Sequence, residues 1–407
     1  MIRIFIYLFF LNFSHSLHPL FVNNRYNFKD KDLLNAEKIL ANYIGHTYSL
    51  GVNSGGMALT LSLIAIKNKY NLTNHHPIFT NSFTFNAVPS SIVNANFDPF
   101  LLETDEKLLL DLDNLEFHLS NLKMKTPVLL LSYMRGRIPN INKLMTIVKK
   151  YNVVLIEDCA HAYGCLWDKK KLGSFGEISI ISCQSNKLIS TAEGGFILTI
   201  DDYLMACSLI ASGCYENLYL KHEFLSPSEN YINKYKFIIP NFSVRMTPLQ
   251  GYIFNTQFKN IENTIRKINN NYKYLKSLNS NPYIEYIEQY SNVRPVYDSL
   301  QFRIINITQT EFEFYIKTLN ELGNYNFQSF ISSDNSRFFQ NWKFFYNNFS
   351  LPNTENNLLN VCDFRIPMDY TLDDLYNLND NMDRAFYITF ISSIYGSTFF
   401  GKLYNKN

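Results

Sequence analysis

Between residues 48 and 199 short apolar runs alternate with stretches of helical period, and few folds accommodate that rhythm. The runs fall at 48–53, 77–81, 97–102, 128–132, 153–156, 178–182 and 195–199. Helical periodicity marks 31–43, with Leu33, Leu34, Ile39 and Leu40 on one face. It marks a segment opening at Gly55-Gly56 that carries Leu59, Leu63 and Ile66, and it recurs at 87–93, 112–119 and 141–150. Short apolar strands separated by helices predict an α/β domain with a mostly parallel central sheet covered by helices on both faces. In such sheets ligands gather at the carboxyl ends of the strands, where Asp158, the Gly55-Gly56 turn and Ser182 all fall.

The chain of 407 residues suits this large domain plus a smaller one. Residues 248–275 read as one long helix bridging to the second unit. That unit carries a strand at 300–304, the segment 364–368 and a helix over 372–386, which points to a smaller α+β domain. The expected division is 17–247 for the large domain and 248–407 for the bridging helix and small domain. Residues 4–13 form an apolar run after Arg3 and before Ser14-His15-Ser16. Residues 1–16 are therefore either a cleavable targeting segment or an apolar arm, and the run is too short to span a bilayer. The tail 390–407 is aromatic-rich and unassigned.

Apolar content of 46% and charge of 18% exclude a disordered chain. A net charge of +2 without a basic run leaves no electrostatic footprint for nucleic acid. The six cysteines show neither CxxC pairs nor metal-ligand spacing, and they read as reduced thiols used as small apolar residues.

Four segments carry candidate chemistry. Asn53-Ser54-Gly55-Gly56-Met57 is a strand–turn–helix that offers free N–H groups to a phosphate, although such glycines are often only a tight connection. In Ser82-Phe83-Thr84-Phe85 an aromatic ring could stack on a heterocycle or simply fill the core. Ile156-Glu157-Asp158-Cys159-Ala160-His161 ends a strand in two acids, which cannot both be buried unpaired. One of them suits a protonated pyridinium, and His161 lies within reach of the ring hydroxyl. A metal site on Glu157, Asp158 and His161 is the competing reading. Ser182-Cys183-Gln184-Ser185-Asn186-Lys187, followed by Ala192-Glu193-Gly194-Gly195, brings a hydroxyl and then a lysine off a strand end. A lysine in a turn is ordinarily a solvated surface residue. Together, a lysine for a Schiff base and an aspartate for the ring nitrogen are what pyridoxal 5'-phosphate needs.

In this order and spacing the segments resemble the DegT/DnrJ/StrS family of pyridoxal-phosphate-dependent sugar-nucleotide aminotransferases. That family carries Ser-Gly-Thr-x-Ala-Leu, Thr-Phe-x-Ala, Glu-Asp-x-Ala-(Gln or His), and Ser-x-x-x-x-Lys followed by Gly-(Glu or Asp)-Gly-Gly. The matching residues are Ser54 to Leu59, Thr84 to Ala87, Glu157 to His161, and Ser182 to Lys187 with Ala192 to Gly195. Segment 37–45, Arg245-Met246 with Gln250, and Phe364-Arg365-Ile366-Pro367-Met368 extend the likeness over residues 30–390.

The resemblance implies a fold-type I homodimer with a shared active site in the cytoplasm. It implies that Lys187 is the Schiff-base lysine, Asp158 the partner of the pyridine nitrogen, and His161 the neighbour of the phenolic oxygen. Ser182 with the Gly55 and Gly56 amides would hold the phosphate, and Phe85 would cover one ring face. Ser243 stands where an asparagine reaches the other subunit's phosphate, Gly56 where threonine is usual, and Ala192 where glycine is usual. The run Ser132 to Arg137 also departs from the common version. The implied reaction moves an amino group from an amino acid, with glutamate the expected donor, to a keto sugar, possible in nucleotide-linked form. The alternatives are a non-catalytic cofactor-binding relative and a dehydratase relative, whose histidine in place of lysine argues against it here.

Overall fold

The computed structural model describes residues 30–215, 227–346 and 348–395, with the backbone of 21–22 and 25–26. The N-terminal segment 1–16 and the tail from 396 onward lie outside the described residues.

One sheet of seven strands organises the first half: β1 (Tyr48–Val52), β2 (Pro77–Asn81), β3 (Asp98–Leu102), β4 (Val128–Ser132), β5 (Val154–Asp158), β6 (Ile178–Ser182) and β7 (Gly195–Thr199), in the order β1-β7-β6-β5-β4-β2-β3. The strands β3, β2, β4, β5 and β6 run parallel, and β7 is antiparallel to both β6 and β1. The mostly parallel sheet expected from the pattern is therefore present. Strand order reverses between β2 and β4, so their carboxyl ends open a crevice at that point.

Alternation along each strand feeds two cores. Val128 and Leu130 of β4 point to one side, and Leu129 and Leu131 to the other. One side is closed by α1 (Asp30–Ile44), α4 (Leu112–Leu122) and α5 (Ile141–Tyr151). The other is closed by α2 (Gly55–Tyr70), α3 (Ala87–Asn94) and α6 (Asp202–Ser212). Truncating a fully buried leucine such as Leu129 to alanine should cost about 2–5 kcal/mol. Helix α2 starts at Ser54, whose Oγ accepts the Met57 N–H at 3.2 Å, and ends at Asn71 in a left-handed conformation.

A second, antiparallel sheet has the order β8-β9-β11-β10, from β8 (Ile284–Tyr286), β9 (Ser299–Ile304), β10 (Gln328–Ser329) and β11 (Val361–Arg365). Leu300, Phe302 and Ile304 of β9 share a core with Phe312, Tyr315 and Leu319 of one helix, Gln309–Gly323, and Leu375, Leu378 and Met382 of another, Leu372–Tyr395. The first of these helices and α6 were not read from the pattern.

The single helix expected over 248–275 is two helices, α7 (Pro248–Phe258) and α8 (Ile261–Leu278), broken at Lys259-Asn260. Asn260 leaves helical geometry to start the second segment. The break lets α7 lie against α1, where Asn255 Nδ2 donates to the Asp32 carbonyl at 2.7 Å. Helix α8 then runs from the large core, through Ile261, Ile265 and Ile268, to the small one, through Tyr272 and Leu275. All six cysteines are buried, and none forms a disulfide. No described helix is long and apolar enough to cross a membrane.

Candidate active site

Strand β5 runs two residues further than the apolar pattern showed and takes both acids into the sheet. Neighbouring residues on a strand face opposite sides, and here that separates their roles. Glu157 turns into the core beneath the sheet. It accepts the Tyr133 hydroxyl at 2.7 Å and the N–H groups of Gly173, Phe175 and Gly176 at 2.9, 2.7 and 2.7 Å. With its lone pairs spent on four donors, Glu157 is a structural carboxylate. That removes the physical basis for a metal site shared with Asp158, and no cluster of metal ligands occurs among the described residues.

Asp158 turns the other way, into a cavity of about 330 Å³ at the carboxyl ends of β4, β5 and β6. Sites for small molecules are typically ~300–1,000 Å³. The cavity is lined by Gly55, Gly56, Phe85, Asp158, His161, Ser182 and Lys187, seven of the eight residues singled out above. Ser243 lies elsewhere. It is exposed, and its N–H and hydroxyl face the Asn241 side-chain oxygen at 2.7 and 3.4 Å.

Burial raises the Asp158 pKa, opposed by the Ala160 N–H, the Ser132 hydroxyl and the positive field of Lys187. The Ala160 and Ser132 contacts are 3.0 and 2.9 Å. Ser132 is itself held by Thr84 Oγ1, which donates to its Oγ at 2.8 Å, and by Asn81, whose side-chain oxygen accepts its N–H at 2.9 Å. These residues come from the ends of β2 and β4, at the reversal of strand order. Burial pushes the Lys187 amine down to about 8, and the Arg365 guanidinium pushes in the same direction. His161 is driven well below its usual value by burial and then by Lys187 and Arg365, so it is neutral.

The turn before α2 presses against β6. A Cβ built on Gly55 would meet Ser182 Cβ at 2.8 Å, whereas one on Gly56 would meet nothing within 4 Å. Backbone amide and strand-end hydroxyl thus adjoin open space at the start of a helix, the chemistry that receives a phosphate. An amine, a buried carboxylate and this helix start around one cavity fit a flat phosphorylated heterocycle with an aldehyde.

These are the parts of one sequence family, and the profile of the DegT/DnrJ/EryC1/StrS aminotransferase family matches residues 23–376. The chain belongs to that family. It is 28% identical over 227 residues to GDP-perosamine synthase of Caulobacter vibrioides, a match covering 56% of each chain. The alignments span about half the length of such curated relatives. The family fold is shared with solved structures. Helicobacter pylori PseC, an aminotransferase of pseudoaminic acid biosynthesis, superposes with a TM-score of 0.73 at 17% identity, covering 88% of this chain and 92% of that one. A GDP-4-keto-6-deoxymannose-3-dehydratase with a trapped PLP-glutamate geminal diamine superposes with a TM-score of 0.72 at 18% identity, covering 86% and 92%.

Two departures from the family motifs sit at strained backbone positions. Ala192, where the family has glycine, has φ +67°, and Ser243, where it has asparagine, has φ +53°. Glycine and asparagine are the residues that tolerate this left-handed region. Ser132, Arg337 and Arg365 also line the cavity, and none of them was assigned a role from the sequence. Arg365 lies in the segment 364–368 and Ser132 in the run 132–137, but their partners are distant in sequence and carry no local signal.

Proposed function

We propose that this chain is a pyridoxal-phosphate-dependent aminotransferase that moves an amino group from an amino acid, glutamate the expected donor, to a keto sugar in nucleotide-linked form. The observation that carries this reading is the convergence of the Lys187 amine and the Asp158 carboxylate on one cavity. Bound pyridoxal phosphate would supply the aldehyde that accepts an amine and the ring that accepts electrons.

The chain's own groups would do the rest. Asp158, whose ionised form Ser132 and Ala160 favour, would hold a proton on the ring nitrogen. The Gly55 and Gly56 amides and the Ser182 hydroxyl bind the phosphate, and Phe85 covers a ring face. His161 donates from a neutral ring towards the phenolic oxygen. Lys187 binds the cofactor and, once freed, moves the proton at the reacting carbon, a task suited to an amine whose pKa is close to working pH. Ser243, exposed and outside its own cavity, would reach the phosphate of a second copy in a homodimer. The GDP-linked sugar named for the relatives above is the support for a nucleotide-linked acceptor.

The test is to load the full chain with pyridoxal phosphate and follow its visible absorbance as glutamate is added. A donor-driven change that disappears in Lys187→Ala supports the proposal. Cofactor uptake with no response to any amino acid would favour a binding-only relative. That second reading rests on Gly56, which leaves open space where the family places a hydroxyl.

A further inference from the structure

Two guanidinium groups, Arg337 and Arg365, line the cavity, with that of Arg135 close enough to act on both, and only two of the three have a carboxylate. Arg135 pairs with Asp363, both almost fully buried. Arg365 pairs with Asp298 at 3.1 Å. Arg337 has no acidic partner within ion-pair distance among the described residues. One terminal nitrogen makes long contacts, 3.3 Å each, to the side-chain oxygens of Gln328 and Asn335. Its Nε is buried without an acceptor. The group lines the same cavity as Lys187 and sits 5.9 Å from the centroid of the Phe85 ring.

A cation partly withdrawn from water beside two further arginines is unfavourable unless something negative arrives. Burial and the adjacent Arg135 already push the Arg337 pKa down to about 10. The acids that line the cavity do not fill the need. Asp158 is held by Ser132 and Ala160, and Glu193 is exposed on the turn before β7. A planar guanidinium fork matches the two coplanar oxygens of a carboxylate.

We propose that Arg337 is the carboxylate-recognising residue of this active site, pairing with a substrate carboxylate while the reacting atom lies beside Lys187. The assignment to a substrate rests on the aminotransferase reading. The carboxylate belongs either to the amino donor at its α-carbon or to an acidic sugar acceptor, and both present the same chemistry to the arginine.

The experiment uses wild type, Arg337→Gln and Arg337→Lys, each checked for fold by thermal melting and for cofactor uptake by absorbance. Glutarate, an unreactive dicarboxylate, is titrated by calorimetry into the cofactor-loaded protein. Arg337→Gln should weaken it about ten- to a hundredfold with cofactor uptake unchanged, and Arg337→Lys should restore part of the loss. Glutamate is then compared with isoglutamine, whose α-carboxylate is an amide, and glucuronate with glucose. Loss of the preference for glutamate in Arg337→Gln assigns the donor, and loss of the preference for glucuronate assigns the acceptor. Unchanged glutarate binding in Arg337→Gln would overturn the proposal. Failure of the wild type to take up pyridoxal phosphate would instead count against the aminotransferase reading, and the glutarate titration of cofactor-free protein would still report on Arg337.

Discussion

The Nζ of Lys187 lies 2.9 Å from Nε2 of His161. The other ring nitrogen, Nδ1, faces a guanidinium nitrogen of Arg365 across a long 3.4 Å contact. A guanidinium only donates, so Nδ1 is the acceptor and the neutral ring carries its proton on Nε2. That proton then points at an amine able to accept it, which requires an uncharged Lys187. Burial and the field of Arg365 favour the same state.

The first prediction concerns pH. With the Lys187 pKa near 8, roughly a quarter of the amines are neutral at pH 7.5, against about one in a thousand at the ordinary 10.5. The neutral form is lost as pH falls. The rate of pyridoxal phosphate capture should therefore rise with pH and level off above about 8. Arg365→Gln removes a cation that depresses the pKa, so its profile should move to higher pH. Stopped-flow absorbance across pH 6–10 checks both, and a profile in Arg365→Gln that matches wild type would disprove the coupling.

A second prediction isolates Ser132. Replacing it with alanine removes one of the two hydrogen bonds that favour the ionised form of Asp158 against burial. The carboxyl pKa should rise further, and cofactor affinity should fall about tenfold, the effect of one charge-assisted hydrogen bond. Fluorescence titration reads this, and Thr84→Val, one bond further out, should lose less.

Gly55 and Gly56 should respond in opposite ways. Alanine at 55 must displace Ser182, so cofactor binding should weaken. Threonine at 56 meets open space in the first turn of a helix, where replacing glycine by a β-branched residue gains only about a few tenths of a kcal/mol. It also adds the hydroxyl usual in the family. Gly56→Thr should melt no lower than wild type and bind cofactor more tightly, as thermal melting and titration would show.

Ala192→Gly should stabilise the protein by about 1 kcal/mol, because the left-handed φ at that position penalises a Cβ. Chemical denaturation measures the change, and an Ala192→Gly variant less stable than wild type would show that the strain is relieved elsewhere.

Much of the large sheet was legible in the sequence because it is covered on both faces. Strands 77–81, 128–132, 178–182 and 195–199 are short, mostly apolar runs, and the structure has them at those boundaries. The second sheet was less visible, since its strands mix polar and apolar residues and one of them, β10, is two residues long. The helix expected over 248–275 broke at Asn260 because two packing surfaces, α1 and the small core, pull its halves in different directions.

The residue types of the site were fixed by local order: a lysine and a serine follow β6, an acid ends β5, and glycines open α2. Which acid faces the cavity was decided only when β5 extended through Glu157 and Asp158, since adjacent side chains on a strand must part. Strand order brought Ser132 beside Asp158, and the second sheet delivered Arg365 to His161. Those contacts join residues 26 and 204 positions apart. Their energy depends on burial and on the direction of a donor, and neither exists until the layers have packed.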